Sequence, residues 1–244
     1  MQLHIVPAAH GMLWLRQSFK NFKKRPFAIT GLFFMMILLL NLVSFVPGIG
    51  PLLSLVLFPA FTLGFMNATR IVLHDQYPMP TVLLSAFKQD AATTKAMVIL
   101  GVCYAATVVG SMAFTQVFDG GQFMRMYIGG EDVSQAQFYE LVRQGDFQMA
   151  AMSAGVLLLL SGMFYWHASA LVYWHRVPAI KSMFFSAVAC FRNLPAFVVF
   201  LGCWMLVSLA LAATTALFLM AVLGSSIGSM VSFMGVMLIC VIFF

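Results

Sequence analysis

Tyr-Trp-His occurs twice, at residues 165–167 and 173–175, and is the pattern in this chain that comes nearest to chemistry. Imidazoles bind zinc and haem iron, and a third histidine, His74, stands beside Asp75. On one helix the two triplets lie about 12 Å apart along the axis and about 80° apart around it. A single ion with ligand distances near ~2 Å therefore does not take both His167 and His175. A haem or metal site would have to join His74 to His167 or His175 across two helices. The competing reading is mechanical. Trp and Tyr collect at membrane–water boundaries, which makes Tyr165, Trp166, Tyr173 and Trp174 an anchoring belt, with Trp14 in the same role. The residues favour this second reading, with no cofactor and no metal expected.

Such a belt needs membrane-spanning helices to carry it. Of 244 residues, 62% are hydrophobic and 8% charged, against roughly 25% charged in an average soluble domain. No charged residue occurs from 26 to 69, from 96 to 118, from 147 to 175 or from 193 to 244. Spanning takes about 20 apolar residues, so these stretches predict six spans near 27–46, 49–73, 96–118, 148–172, 195–223 and 227–244. The first 25 residues hold five basic residues and no unbroken apolar core. The expectation is that no leader is cleaved and the first span acts as its own insertion signal. The chain ends on an apolar stretch without a basic tail, so a longer C-terminus is also expected to be compatible with the pattern.

Charge supplies an orientation. With both termini cytoplasmic, the inner segments hold eleven basic residues: Arg16, Lys20, Lys23, Lys24, Arg25, Arg70, Lys88, Lys95, Arg176, Lys181 and Arg192. The outer segments hold Arg125 and Arg143 against Asp119, Glu131, Asp132, Glu140 and Asp146. This is the positive-inside pattern. The formal charge of +6 then reflects topology and attraction to anionic lipid headgroups, about 1 kcal/mol per basic side chain near the surface. Nucleic acid is not an expected partner. Arg16, Lys20, Lys23, Lys24, Arg25, Lys88, Lys181 and Arg192 are the expected membrane-surface cations.

Three cytoplasmic stretches share the order Phe, then Lys or Arg, then Asn or Gln: 17–22, 85–90 and 189–194. Each ends a short amphipathic segment and precedes a span. Met12, Leu15, Phe19 and Phe22 fall within about 80° of one helix face, Leu83, Leu84, Phe87 and Ala91 form a second stripe, and Ile180, Met183, Phe184, Ala187, Val188 and Phe191 a third. Surface helices are therefore expected at 8–25, 80–93 and 179–193. The predicted fold is an all-α integral membrane protein: six transmembrane helices as three hairpins, each preceded by a cytoplasmic-side interfacial helix. Outside, residues 119–147 form a long loop with one short helix, opened by a capping box at Ser134 and Gln137.

The spans contain no Asp, Glu or Lys, and Arg70 lies near an inner end. Ion-coupled transport relies on buried ionisable groups, so a pump is not expected. There is no His-Glu-x-x-His and no phosphate-binding loop. Cys103, Cys190, Cys203 and Cys240 lack paired spacing and read as apolar filler. Small residues recur four apart at Gly101/Ala105, Ala106/Gly110, Ala151/Gly155 and Ser208/Ala212/Ala216, allowing close helix approach. Pro59 should kink the second span.

The stretch 6–29, Val-Pro-Ala-Ala-His-Gly-Met-Leu-Trp-Leu-Arg-Gln-Ser-Phe-Lys-Asn-Phe-Lys-Lys-Arg-Pro-Phe-Ala-Ile, resembles the opening of an uncharacterised family of bacterial six-span inner-membrane proteins. The likeness extends through the 47–65 hairpin and over most of the chain. It implies the bacterial inner membrane and carries no catalytic motif. A fainter resemblance, in the helix-plus-hairpin plan, is to the membrane portions of glycerophosphodiester phosphodiesterases, without their hydrolase domain. The expected function is a non-enzymatic membrane subunit or scaffold, bound to other integral membrane proteins of a larger complex and organising lipid. A carrier for an apolar or lipid-like substrate, and a cytoplasmic-face haem or metal protein, are the alternatives.

Overall fold

The computed structural model describes residues 3–127 and 133–223. Among them every regular element is helical: α1 (His10–Lys24), α2 (Pro26–Ser44), α3 (Gly50–Leu73), a 3-10 segment (Pro80–Phe87), α4 (Ala91–Asp119), α5 (Gln122–Tyr127), α6 (Gln135–Arg143), α7 (Gly145–Tyr165), α8 (Ala168–His175), α9 (Ala179–Arg192) and α10 (Leu194–Leu223). Five stretches are long and apolar enough to cross a membrane: Pro26–Ser44, Gly50–Leu73, Ala91–Asp119, Gly145–His175 and Leu194–Thr215. The expected sixth span at 227–244, Glu131, Asp132 and Cys240 lie outside the described residues.

Proline and capping chemistry set the helix ends. Arg25 takes φ −145° and ψ 61°, because a following proline crowds the helical conformation. That stops α1 and lets α2 begin on Pro26, where a missing N–H costs nothing. Asp90 is extended and its carboxylate accepts the Thr93 N–H at 2.6 Å, starting α4. Gly120, left-handed at φ 63°, closes it. With 29 residues, α4 is about 43 Å long, beyond the ~30 Å apolar layer. A helix of this length that crosses such a layer tilts or projects from it.

Three local expectations change. The surface helix expected at 80–93 is a 3-10 segment that ends at Phe87. Asp90 must be non-helical to cap α4, so one helix cannot run through 88–90. The span expected at 148–172 is interrupted at Trp166 and His167, between α7 and α8. The first half of the outer loop also forms a helix, α5, because the Asp119 carboxylate accepts the N–H groups of Gly121 (2.8 Å) and Phe123 (2.6 Å). In α6 both bonds of the Ser134–Gln137 capping box are made.

The chain divides into two compact units. One comprises Met1–Leu39, Phe61–Lys88 and Val188–Phe244. Here α1 lies along α10: a Cβ on Gly11 would come within 2.6 Å of the Phe200 backbone nitrogen, and Trp14 packs edge-on against Phe197 and Phe200, with centroids 5.3 and 6.1 Å away. Phe19 meets Trp204 farther along. Phe33 of α2 sets its ring edge against Phe65 of α3, and Gly64 lets α3 touch the Leu83 backbone of the 3-10 segment.

The other unit comprises Leu40–Ala60 and Gln89–Ala187. Gly101 of α4 abuts the Val56 backbone of α3, Phe58 stacks on Tyr104 at 5.2 Å, and Tyr104 meets the edge of Tyr165. At the other end of α4 and α7, buried Phe123 and Phe147 lie 5.5 Å apart, with Ala150 and Ala154, against Met112, Phe118, Met126 and Leu141. These rings tie α5 and α6 to the ends of the long helices. Each buried Phe outside the apolar layer stabilises by about 1.5–3 kcal/mol.

Candidate functional site

The interruption of the fourth span is made by one hydroxyl. In an unbroken helix the His167 N–H would bond the Met163 carbonyl. Instead the Ser186 hydroxyl of α9 accepts the His167 N–H at 2.9 Å and donates to the Met163 carbonyl at 2.7 Å. A side chain inserted into the helical ladder is an established cause of a kink, and here both freed backbone groups keep a partner. Ser186 is fully buried, as is Ser182 one turn earlier on α9. The Tyr165 hydroxyl lies 2.8 Å from the Thr107 hydroxyl of α4. Half-buried Tyr165 is thus a clamp between α4 and α7. Trp166 and Tyr173 are half-buried and Trp174 is exposed.

Two helix ends carry the charge chemistry. Among the described residues, the non-glycine residues with left-handed backbone are Asp75 (φ 60°) and Arg176 (φ 57°), and each forms an ion pair. Asp75 follows α3. Its N–H and that of Gln76 donate back to Val72 and Ile71, the closing pattern that glycine usually occupies. Its carboxylate accepts from the Lys24 ammonium at 2.8 Å, which also reaches the Leu73 carbonyl. Arg25 donates to the Asp75 carbonyl at 3.2 Å and lies 4.2 Å over the Tyr77 ring. The hydrogen bond and charge of Lys24 hold the Asp75 carboxyl below its ordinary 3.8. In the second unit Arg176, after α8, pairs with Asp90, and its Nη1 donates to the Thr93 hydroxyl at 2.8 Å. In the sequence Asp75 stood out only beside His74, and Asp90 only as the last residue of the 85–90 pattern. A helix ending on Asp or Arg where Gly is easier was the available signal.

Of the expected surface cations, Arg16, Lys20, Lys23, Lys88, Lys181 and Arg192 are exposed, while Lys24 and Arg25 are half-buried in the Asp75 knot. Trp14 is half-buried against α10. His74 faces its own helix, Nδ1 lying 2.8 Å from the Arg70 carbonyl oxygen. His74 belongs to one unit, His167 and His175 to the other. No group of three or more His, Cys, Asp or Glu side chains comes together among the described residues. Pro59 lies inside α3, and one unit gives way to the other after Ala60.

Asn193 was not singled out by its sequence, yet it organises the junction of α9 and α10. Buried, it accepts the Val6 N–H at 2.8 Å and donates to the carbonyls of His4 (3.1 Å) and Ala189 (3.0 Å). The amide thereby pins the N-terminal segment to this junction.

A probable inner membrane protein of Burkholderia thailandensis is 34% identical to this chain over 229 residues, covering 93% of this chain and 83% of the relative. The chain belongs to that inner membrane protein family. No family model and no solved structure matches it. The likeness to the membrane portions of glycerophosphodiester phosphodiesterases finds no support in these comparisons. Membership in this family accords with the apolar helices described above and assigns no activity.

Proposed function

We propose that the protein is a non-enzymatic membrane subunit or scaffold that packs against a larger membrane complex and organises the surrounding lipid. In this reading both termini are cytoplasmic and six spans form three hairpins, each entered through a surface segment. The observation that carries it is the exposed face of α9. With 14 residues, α9 is about 21 Å long, too short to cross ~30 Å of hydrocarbon. Yet Ile180, Phe184 and Phe191 are 63%, 62% and 54% exposed, within about 40° of one another around the helix. Ala179, Ser182 and Ser186 are buried on another side, and Lys181 and Arg192 are exposed. A stripe of large apolar side chains flanked by cations suits the headgroup boundary or the flank of a partner helix.

The test is purification from native membranes in mild detergent, followed by mass spectrometry. Stoichiometric membrane partners are expected for the unaltered chain, and their loss for Phe184→Glu, which changes an exposed side chain. A monomer without stoichiometric partners would overturn the subunit reading.

A further inference from the structure

One cavity in the second unit lies outside every residue assigned above as a surface cation. It has a volume of about 310 Å³ and is lined by Thr93, Lys95, Ile99, Val172 and Arg176, with Ala179 at the start of α9. It sits where one candidate span begins, at Ala91, and another ends, at His175. It is therefore at a membrane boundary. From Ala92 to Ile99 it follows α4 for about 10 Å, the distance from headgroup level into the acyl region. The deeper wall is apolar; the cations stand at the shallow end.

The electrostatics select an anion. Asp90, the acid beside the cavity, is fully engaged, one oxygen by the Thr93 N–H and the other by Arg176. Arg176 commits Nη1 to Asp90 and Thr93, while Nε and Nη2 have no protein partner among the described residues. A guanidinium presents five N–H donors in a fork suited to phosphate. Lys95 has no acidic partner among the described residues and is exposed. The first-turn N–H groups of α9 add positive potential at the Ala179 wall. Arg176 also keeps left-handed backbone, a conformation disfavoured for a residue with a side chain. Backbone conformations of that kind cluster at ligand clamps and other functional sites.

We propose that this cavity binds one anionic phospholipid, its phosphate between Lys95 and Arg176 and the upper part of an acyl chain along Ile99 and Val172. The volume is near the lower end of the ~300–1,000 Å³ usual for ligand sites, enough for a headgroup and the start of one chain. The inference rests on, and sharpens, the lipid-organising part of the proposed function.

The test uses the full chain in detergent, delipidated and titrated with dioleoylphosphatidylglycerol, dioleoylphosphatidylcholine or inorganic phosphate, with bound lipid read by native mass spectrometry. One phosphatidylglycerol should be retained in preference to phosphatidylcholine. Lys95→Ala should weaken it by about fivefold, the effect of one cation near the headgroups, and Lys95→Arg should restore it. Ala96 also lines the cavity, so Ala96→Phe, which fills it and leaves every charge, should remove the selectivity; Lys20→Ala with Lys23→Ala should leave it intact. Lys95 is exposed, so its variants change binding without unfolding the chain. Equal retention of the two lipids, or unchanged binding in Lys95→Ala, would overturn the proposal. So would displacement by inorganic phosphate, which would make this a free-anion site, or equal loss in the Lys20/Lys23 variant, which would make it diffuse surface charge. A chain that selects phosphatidylglycerol yet purifies without partners refutes the subunit reading alone; partners without lipid selectivity refute this inference alone.

Discussion

Asp75 is exposed, left-handed and tied to Lys24, and its chemistry has a pH signature. Folding lowers its carboxyl below the ordinary 3.8, so the folded chain holds the proton less tightly than the unfolded one. The contribution of the pair is complete above the unfolded value and disappears as pH falls through the folded value. Titration of the Asp75 carboxyl by carbon-detected NMR should give a midpoint below 3.8, moving upward in Lys24→Ala; an unmoved midpoint would remove Lys24 as the cause. At this scale the sequence was least informative. Tyr165 was legible as an aromatic near a boundary, but not as the partner of Thr107, 58 residues away. Ser186 looked like one of many small residues. Asn193 belonged to a recurring Phe-basic-amide pattern, and only its contact with Val6 and His4 explains what the amide does there.

Among elements, small residues separate into two kinds that look alike in the chain. Gly101 and Gly110 both lie in α4. A Cβ on Gly101 would strike the Val56 backbone, whereas one on Gly110 meets nothing within 4 Å. Gly101→Ala should therefore destabilise by about 1–3 kcal/mol, as overpacking does. Gly110→Ala should be neutral or stabilise by about 0.5–1 kcal/mol through reduced chain entropy. Reversible unfolding in mixed micelles measures both, and equal effects would contradict the α3–α4 contact. Gly155, spaced from Ala151 as a packing motif, also faces open space, so four-residue spacing alone did not identify an interface. The start of α2 at Pro26 was nearly readable, since the first span was expected from 27, whereas the Asp90 cap of α4 was missed and a surface helix was expected to run through it. The 3-10 segment before Asp90 and the break before Ala168 were not readable, since each depends on a competing bond.

For the whole molecule, charge asymmetry leads to a topology that can be read chemically. Cysteines placed at Lys23 and Arg125, in a background lacking Cys103, Cys190, Cys203 and Cys240, should differ toward an impermeant thiol reagent added outside the inner membrane: position 125 labelled, position 23 protected until the membrane is opened. Labelling of both from one side would discard the proposed orientation. By itself the sequence determined that this is a helical membrane protein, roughly where its long apolar helices run, and which segments lie at their ends. Those properties sum over neighbouring residues: transfer to hydrocarbon, proline geometry and capping are all local. Tertiary structure decided which glycine is a contact, why the fourth span is broken, and how Lys95 and Arg176 come to share a cavity. Each of these joins side chains or backbone from distant parts of the chain. In a polypeptide whose lipid-facing and helix-facing surfaces are equally apolar, composition does not distinguish one face from the other.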